Sequence, residues 1–383
     1  MKKAKKIFTK FICLFIWHPQ ARRNVRSFIT NFEFISYLRF IASRVRPNTV
    51  LLIEPNNTHG EVAGGILPLF QKLGMNVDIL MNECPLSERP FCRQDMRNTR
   101  VFKIGMRGLN LFFDNPKCDK YRAVFLMTSA CYWAQKPAGG YTSSLQFFTR
   151  QLPRMHVIEH DLGDVTEFGE ENMLNTGRLI TLGKFDRGIF INPHMFGPVK
   201  KLPKHNPTHF IVVGGIEPQR KNFAMLIDAM QQLVRQHRDF MVTVIGRGKM
   251  SDIPAELHPH IQIMGRLDFP RMFDQIENAD FFLTLLDPEN PAHDRYITTG
   301  VTGSAQLIYS FAKVPVVHKK FAGFYRFDET NAIVYDGTLG DAMAHAIDIA
   351  PDKYIQMQTA LTNTANAITT ESIENLKGML NVK

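Results

Sequence analysis

The sequence predicts an α/β protein of two doubly wound, Rossmann-like domains facing an interdomain cleft, preceded by a basic amphipathic N-terminal extension. Short apolar runs alternate with helical patterns from Pro47 to about residue 350. These runs fall into two sets of six, separated by KKLPKHNP at residues 200–207, where prolines and lysines replace apolar residues. A length of 383 residues with 44% apolar content is enough to fill two cores. The expected organisation is an extension over residues 1–46, a first domain over 47–204, a second over 205–350, and a C-terminal helical segment over 351–383.

The extension carries most of the charge. Residues 1–46 hold five Lys and six Arg against Glu33, so the whole net charge of +10 resides there and the remaining 35 basic and 35 acidic residues cancel. Phe8, Phe11, Ile12 and Phe15 fall on one helical face, with Lys2, Lys3, Lys5, Lys6 and Lys10 around it. The uncharged run from Phe11 to Trp17 is far shorter than the roughly 20 residues a bilayer span requires, and no small-residue cleavage site follows it. The segment therefore reads as an interfacial helix, or else as a merely solvated one. The interfacial reading expects an anionic membrane surface as partner, through residues 1–46, and a cytoplasmic protein peripheral to the inner face of the cytoplasmic membrane. A neutral main body without a basic, aromatic-interleaved surface argues against nucleic acid. Five cysteines without CxxC spacing suit a reducing compartment, and the absence of HExxH, DxD or cysteine pairs leaves no metal site to expect.

In the first domain the expected strands are 50–53, 77–81, 101–104, 123–127, 156–159 and 179–182. In the second they are 210–213, 241–245, 261–264, 281–286, 314–317 and 333–335. All are apolar runs rich in β-branched or aromatic residues and bounded by turn formers. After 210–213 come Gly214 and Gly215, then Arg220-Lys221, then Phe223, Leu226, Ile227, Met230, Leu233 and Val234 at helical spacing. Two cations at a helix start beside exposed N–H groups suit a diphosphate; they are equally compatible with solvated loop charges. Gly246-Arg247-Gly248 only begins a dinucleotide fingerprint, because Ser251 stands where the third glycine belongs.

Strand 281–286 leads into a polar loop containing Glu289, and Thr302-Gly303-Ser304 then opens a helix that includes Gln306. Small hydroxyl residues there can cap the helix or admit an anion. In the first domain His59-Gly60-Glu61 follows the first strand and Glu159-His160-Asp161 ends a later one, which sets two histidines at carboxyl ends of strands. Such positions serve structure or proton transfer.

These blocks resemble the nucleotide-sugar glycosyltransferases of the GT-B fold, and among them bacterial enzymes of surface polysaccharide assembly, such as lipopolysaccharide or capsule. The resemblance covers roughly residues 47–350. It is carried by FIVVGGIEPQRKNFAMLIDAM, VTVIGRG, IQIMGRLD and TGVTGSAQLIYSFAKVPVV, with PNNTHGEVAGGILPLFQKLGMNVDIL in the first domain. It implies a glycosyltransferase moving a sugar from a nucleoside-diphosphate sugar, as co-substrate, to a saccharide or lipid-linked acceptor, with no cofactor and no metal. Lys221 and Arg220 would contact the donor diphosphate beside Gly214 and Gly215. Gly265 and Arg266 would lie near the base, and Thr302, Gly303 and Ser304 near ribose and phosphate. His59, Gly60 and Glu61 would face the donor sugar or acceptor, with His59, Glu61 and His160 as candidate bases. The final helix would cross back to the first domain. Many relatives place an arginine where this chain has Gly215, so Arg220 would have to supply that charge. Retaining relatives carry two glutamates; Glu289 matches the first and Gln306 stands at the second, which keeps retention and inversion both open. The same features also admit a non-catalytic binding protein at the membrane or a nucleotide-sugar epimerase.

Overall fold

The computed structural model describes residues 9, 13–19, 21–22, 25, 33–104, 115–135, 141–143, 145, 152–165, 171–250 and 253–382. Of the apolar face expected of the interfacial helix, Phe8, Phe11 and Ile12 lie outside them, as do Lys2, Lys3, Lys5, Lys6, Lys10, Ser251 and Asp252, whereas Phe15 is described and exposed. The chain forms two compact units, one of residues 1–181, 187–189 and 375–383, the other of residues 182–186 and 190–374.

The first unit is built on a seven-stranded sheet. Its strands are β1 (Thr49–Glu54), β2 (Asn76–Asn82), β3 (Thr99–Ile104), β4 (Ala123–Leu126), β7 (Met155–Glu159), β8 (Leu179–Thr181) and β9 (Ile189–Phe190), in the order β3-β2-β1-β4-β7-β8-β9. A separate antiparallel pair, β5 (Ala130–Gln135) and β6 (Tyr141–Ser143), follows β4. Strand order reverses between β1 and β4, which are paired in parallel from Val50 with Ala123 to Ile53 with Leu126. Helix α1 (Glu33–Ala42) drives Phe40 into a core of Leu51, Leu80, Val124 and Val157. Helix α2 (Gly60–Lys72) follows β1. Pro68 inside it has no N–H for the Gly64 carbonyl, and the Gln94 side chain supplies the missing donor at 3.0 Å. Gly60 and Gly64 face a close neighbour: a Cβ would lie 2.8 Å from the Pro85 Cβ at Gly60 and 2.7 Å from the Pro90 carbonyl at Gly64. These two glycines of α2 thus serve helix packing.

The second unit holds β10 (Thr208–Val213), β11 (Phe240–Ile245), β12 (Ile261–Gly265), β13 (Phe281–Leu283), β14 (Val314–His318) and β15 (Ile333–Tyr335), all parallel, in the order β12-β11-β10-β13-β14-β15. That is the doubly wound order, with its reversal between β10 and β13. Helix α3 (Phe223–Arg235) buries Leu226, Met230 and Leu233 of the stripe read from the sequence, with Ala229 beside them, and Phe223, Ile227 and Val234 pack half-buried on the same core. The other long helices are α4 (Phe269–Glu277), α5 (Gly303–Phe311), α6 (Leu339–Asp348) and α7 (Pro351–Leu380). All twelve expected strands form, with ends shifted by at most three residues. The stretch 200–207, expected as a linker, is fastened to the second unit. Lys200 meets Glu277 at 3.2 Å, Lys204 reaches the Ile349 carbonyl at 3.0 Å just past α6, and His205 bonds Asp280. Proline and lysine mark a linker only where nothing accepts from the amines, and here the open carbonyls beyond a helix end accept.

Candidate active site

At the reversal point of the second unit lies a buried cation. Asn222 caps α3, its side chain accepting from the Met225 N–H at 3.1 Å and donating to Asp287 at 2.7 Å. This cap fixes Lys221, which precedes it, in the interior. Lys221 is 4% exposed, and its Nζ donates to the Thr284 carbonyl at 2.8 Å and to Ser304 Oγ at 3.1 Å. Both partners are neutral. Burial alone pushes the ammonium down to about 7. Ser304 lies in the first turn of α5, where the Thr302 side chain accepts from its N–H at 3.3 Å. The Thr302 N–H in turn donates to the Tyr325 hydroxyl, itself bonded to the Tyr296 carbonyl.

Glycines make room for this cation. Gly214 has φ 139°, and a Cβ there would lie 2.7 Å from the Lys221 Cε. A Cβ on Gly246 would fall 1.7 Å from the Gly214 carbonyl oxygen, while its N–H donates to the Gly265 carbonyl at 3.0 Å. The glycines of the incomplete fingerprint therefore let the turns after β10, β11 and β12 stack backbone on backbone.

The other expected donor-site residues occupy the same edge of this sheet without joining the grip. Arg220 is 63% exposed and pairs with Glu217 at 2.9 Å. Gly215 lies against the Arg220 stem, and Arg266 is exposed at the end of β12. Glu289 is exposed, its N–H held by Asp287 at 2.9 Å, and the Asp287 N–H donates to Nδ1 of the fully buried His293 at 2.8 Å. Gly303 is exposed in the first turn of α5, and Gln306, one turn on, is buried beside a cavity of about 20 Å³.

The reversal point of the first unit has the opposite chemistry. Glu54 and Glu159 end β1 and β7 and are buried. Each accepts from the backbone N–H two residues on, Asn56 at 2.8 Å and Asp161 at 3.1 Å. Each also accepts a hydroxyl from the turn after β4: Thr128 reaches Glu54 at 2.6 Å, and Ser129 reaches Glu159. Burial raises the Glu54 carboxyl to about 8, and the nearby His59 opposes that rise.

On this base stand the expected histidines. His59 has φ 63° and packs its ring 4.4 Å from that of His160. His160 Nε2 lies 2.9 Å from the Met127 carbonyl, which only accepts, so Nε2 carries the proton. Burial and then His59 push His160 down to about 3, which keeps it neutral. His59 Nδ1 lies 3.2 Å from Glu61 Oε1. Burial would raise the Glu61 carboxyl, yet the hydrogen bond and charge of His59 hold it below its ordinary range. The carboxylate only accepts, so the Nδ1 facing it carries a proton. The sequence reading placed His59, Glu61 and His160 here and named Glu159 only as a neighbour of His160, while Glu54, Thr128 and Ser129 were missed. The signal was a glutamate closing each apolar run, TVLLIE and MHVIE.

Among the described residues no group of three or more His, Cys, Asp or Glu is placed to hold a metal ion, and no helix is long and apolar enough to cross a membrane. Residues 207–349 match the family of glycosyl transferases group 1. No curated protein matches the chain. Among solved structures, a pneumococcal O-GlcNAc transferase, GtfA, in complex with UDP and GlcNAc is similar in fold at 8% identity and a TM-score of 0.51, over 87% of this chain and 98% of its own. A glycosyltransferase from Rickettsia africae aligns at 15% identity and a TM-score of 0.49, over 88% of this chain and 100% of its own. A group 1 glycosyl transferase domain at residues 207–349, set in a chain of two Rossmann-like parallel-sheet units of the GT-B class, makes this protein a glycosyltransferase.

Proposed function

We propose that the enzyme moves a sugar from a nucleoside-diphosphate sugar to a saccharide or lipid-linked acceptor in bacterial surface polysaccharide synthesis, peripheral to the inner face of the cytoplasmic membrane. The observation that carries the donor class is Lys221, a buried ammonium with only neutral oxygen partners, between the starts of α3 and α5. An uncompensated buried cation is costly, and an anion at two helix N-termini offsets that cost. A diphosphate supplies the anion, and its charge grows as the glycosyl bond breaks, so Lys221 stabilises the leaving group where it matters most. Neither a cofactor nor a metal is needed for that neutralisation.

In the inverting course the acceptor hydroxyl attacks the anomeric carbon and the bond to the diphosphate oxygen breaks with its electron pair. The hydroxyl proton passes to a base, for which the first unit offers His59 beside Glu61. The pneumococcal relative with UDP and GlcNAc bound supports a nucleotide donor in kind. The membrane assignment is supported by the net +10 of residues 1–46.

A thermal-shift series with nucleoside diphosphates and their sugars tests the donor class. A bound nucleotide raises Tm by mass action, by about 2.7 kcal/mol of stability at a hundred times Kd. If no nucleotide raises Tm, the donor reading falls. Nucleotide release that requires an acceptor separates transfer from epimerisation and from mere binding.

A further inference from the structure

Nine large apolar side chains are exposed among the described residues, and six of them lie between residues 14 and 41: Leu14, Phe15, Trp17, Ile35, Leu38 and Ile41. The other three, Val199, Ile263 and Ile355, are single residues far apart in the sequence and need no explanation. Ile35, Leu38 and Ile41 form a stripe on α1, 52%, 43% and 40% exposed, while Phe40 on the opposite face is fully buried. An amphipathic helix normally exposes polar residues there; this one is apolar on both faces.

The stripe ends at a cavity of about 1160 Å³, with Ile41 in its wall. Among the described residues the cavity is lined by Arg44, Arg46, Lys117, Lys120 and Arg122 and by no Asp or Glu. Three of these cations are engaged. Lys117 donates to the Phe40 and Ser43 carbonyls, Arg46 to Asp78 and the Asn98 carbonyl, and Arg122 to Asn48. Arg44 and Lys120 are exposed, and neither side chain makes a hydrogen bond or ion pair with the described residues. Burial, with Arg100 and Lys120 adding to it and Asp78 opposing it, pushes the Lys117 ammonium down to about 8. Thr49 and Arg122 mark the amino ends of β1 and β4, so this cavity lies at the opposite end of the first unit's sheet from His59 and Thr128.

We propose that this end of the first unit docks on an anionic phospholipid surface, with the Ile35–Leu38–Ile41 stripe in the acyl boundary and a lipid phosphate held in the cavity by Arg44 and Lys120. It rests on the peripheral membrane reading above and adds the surface that makes the contact. An apolar stripe running into a basic cavity matches the order of acyl chain and phosphate in a lipid leaflet. A second copy meeting this face through a twofold axis would set cations against cations, which disfavours self-association.

Co-sedimentation of the full-length protein with vesicles tests the proposal, using phosphatidylcholine alone and phosphatidylcholine mixed with phosphatidylglycerol. Binding is expected only to the mixed vesicles and should weaken with salt. The full-length variants I35S/L38S/I41S and R44Q/K120Q should each lower the partition coefficient at least tenfold, with Tm and turnover on a soluble acceptor unchanged. Wild-type partition in either variant overturns the proposal. So does a Tm shift by inorganic phosphate alone that R44Q/K120Q abolishes while vesicles stay unbound, which would mark a soluble anion site. A loss of self-association in the stripe variant without a change in vesicle binding would assign the face to a second copy. The variant K2Q/K3Q/K5Q/K6Q separates the two membrane readings. If it alone loses vesicle binding, membrane attachment stands and this surface falls; if the wild type binds no anionic vesicle, both fall.

Discussion

The two units share a strand order but finish their reversal points with opposite kinds of ionisable group. In the first, the strand ends carry buried carboxylates, Glu54 and Glu159, and a stacked pair of histidines. In the second, the ends are glycine turns stacked on one another around the buried ammonium of Lys221. The fold brings loops together at a fixed place and leaves the chemistry to the residue that closes each strand. A carboxyl group at that place fixes turns and faces imidazoles, whereas the Lys221 ammonium ties the turn after β13 to the start of α5.

The sharpest way to break this contrast is to remove the cation. Lys221→Ala should lower turnover a hundredfold or more, on the order of an electrostatic donor lost from a transition state, with the fold retained. Near-normal nucleotide release in that variant would take Lys221 out of the site. On the other side, His59→Gln should cost roughly a hundredfold in turnover at saturating donor, and His160→Gln clearly less. The reverse ranking would make His160 the base. Gly246→Ala attacks the glycine stack directly and should destabilise by several kcal/mol, in the range of severe core strain, measurable by denaturant unfolding.

The two charges should also titrate with opposite signs. The Glu54 carboxyl is raised from 4.5 to about 8, so the folded state holds an extra proton between those values and loses stability as pH rises through them. The Lys221 ammonium is lowered from 10.5 to about 7, so its stability cost is full below 7 and fades as pH rises toward 10.5. Glu54→Gln should therefore gain Tm over the wild type most clearly above pH 8, and Lys221→Met most clearly below pH 7. Parallel shifts in both variants would dissolve the distinction. The smallest effect is expected at Arg220, whose exposed pair with Glu217 is worth ~0–1 kcal/mol, so Arg220→Ala should change turnover only a few-fold.

The strands, the α3 stripe and the place of Lys221 were legible in the sequence because each is a periodic or local signal. What the sequence left open was which of two adjacent cations turns inward. Arg220 and Lys221 are indistinguishable as neighbours, and the choice is made by Asn222, whose cap and Asp287 bond orient the backbone from the far side. Nor did the sequence show why Gly60 and Gly246 are glycines: each is required by a proline or a backbone from another segment. The Glu54–Thr128 and Glu159–Ser129 bonds join residues 74 and 30 positions apart, a pairing that no spacing rule exposes.

Those two bonds have a consequence for engineering. Because one two-residue turn answers to both strand-end carboxylates, the loops bearing His59 and His160 are mechanically one part. Exchanging either loop alone for that of another transferase would leave Thr128 or Ser129 facing a partner it was not shaped for. Grafts into this scaffold should move residues 54–61, 127–130 and 159–161 together, or leave all three in place.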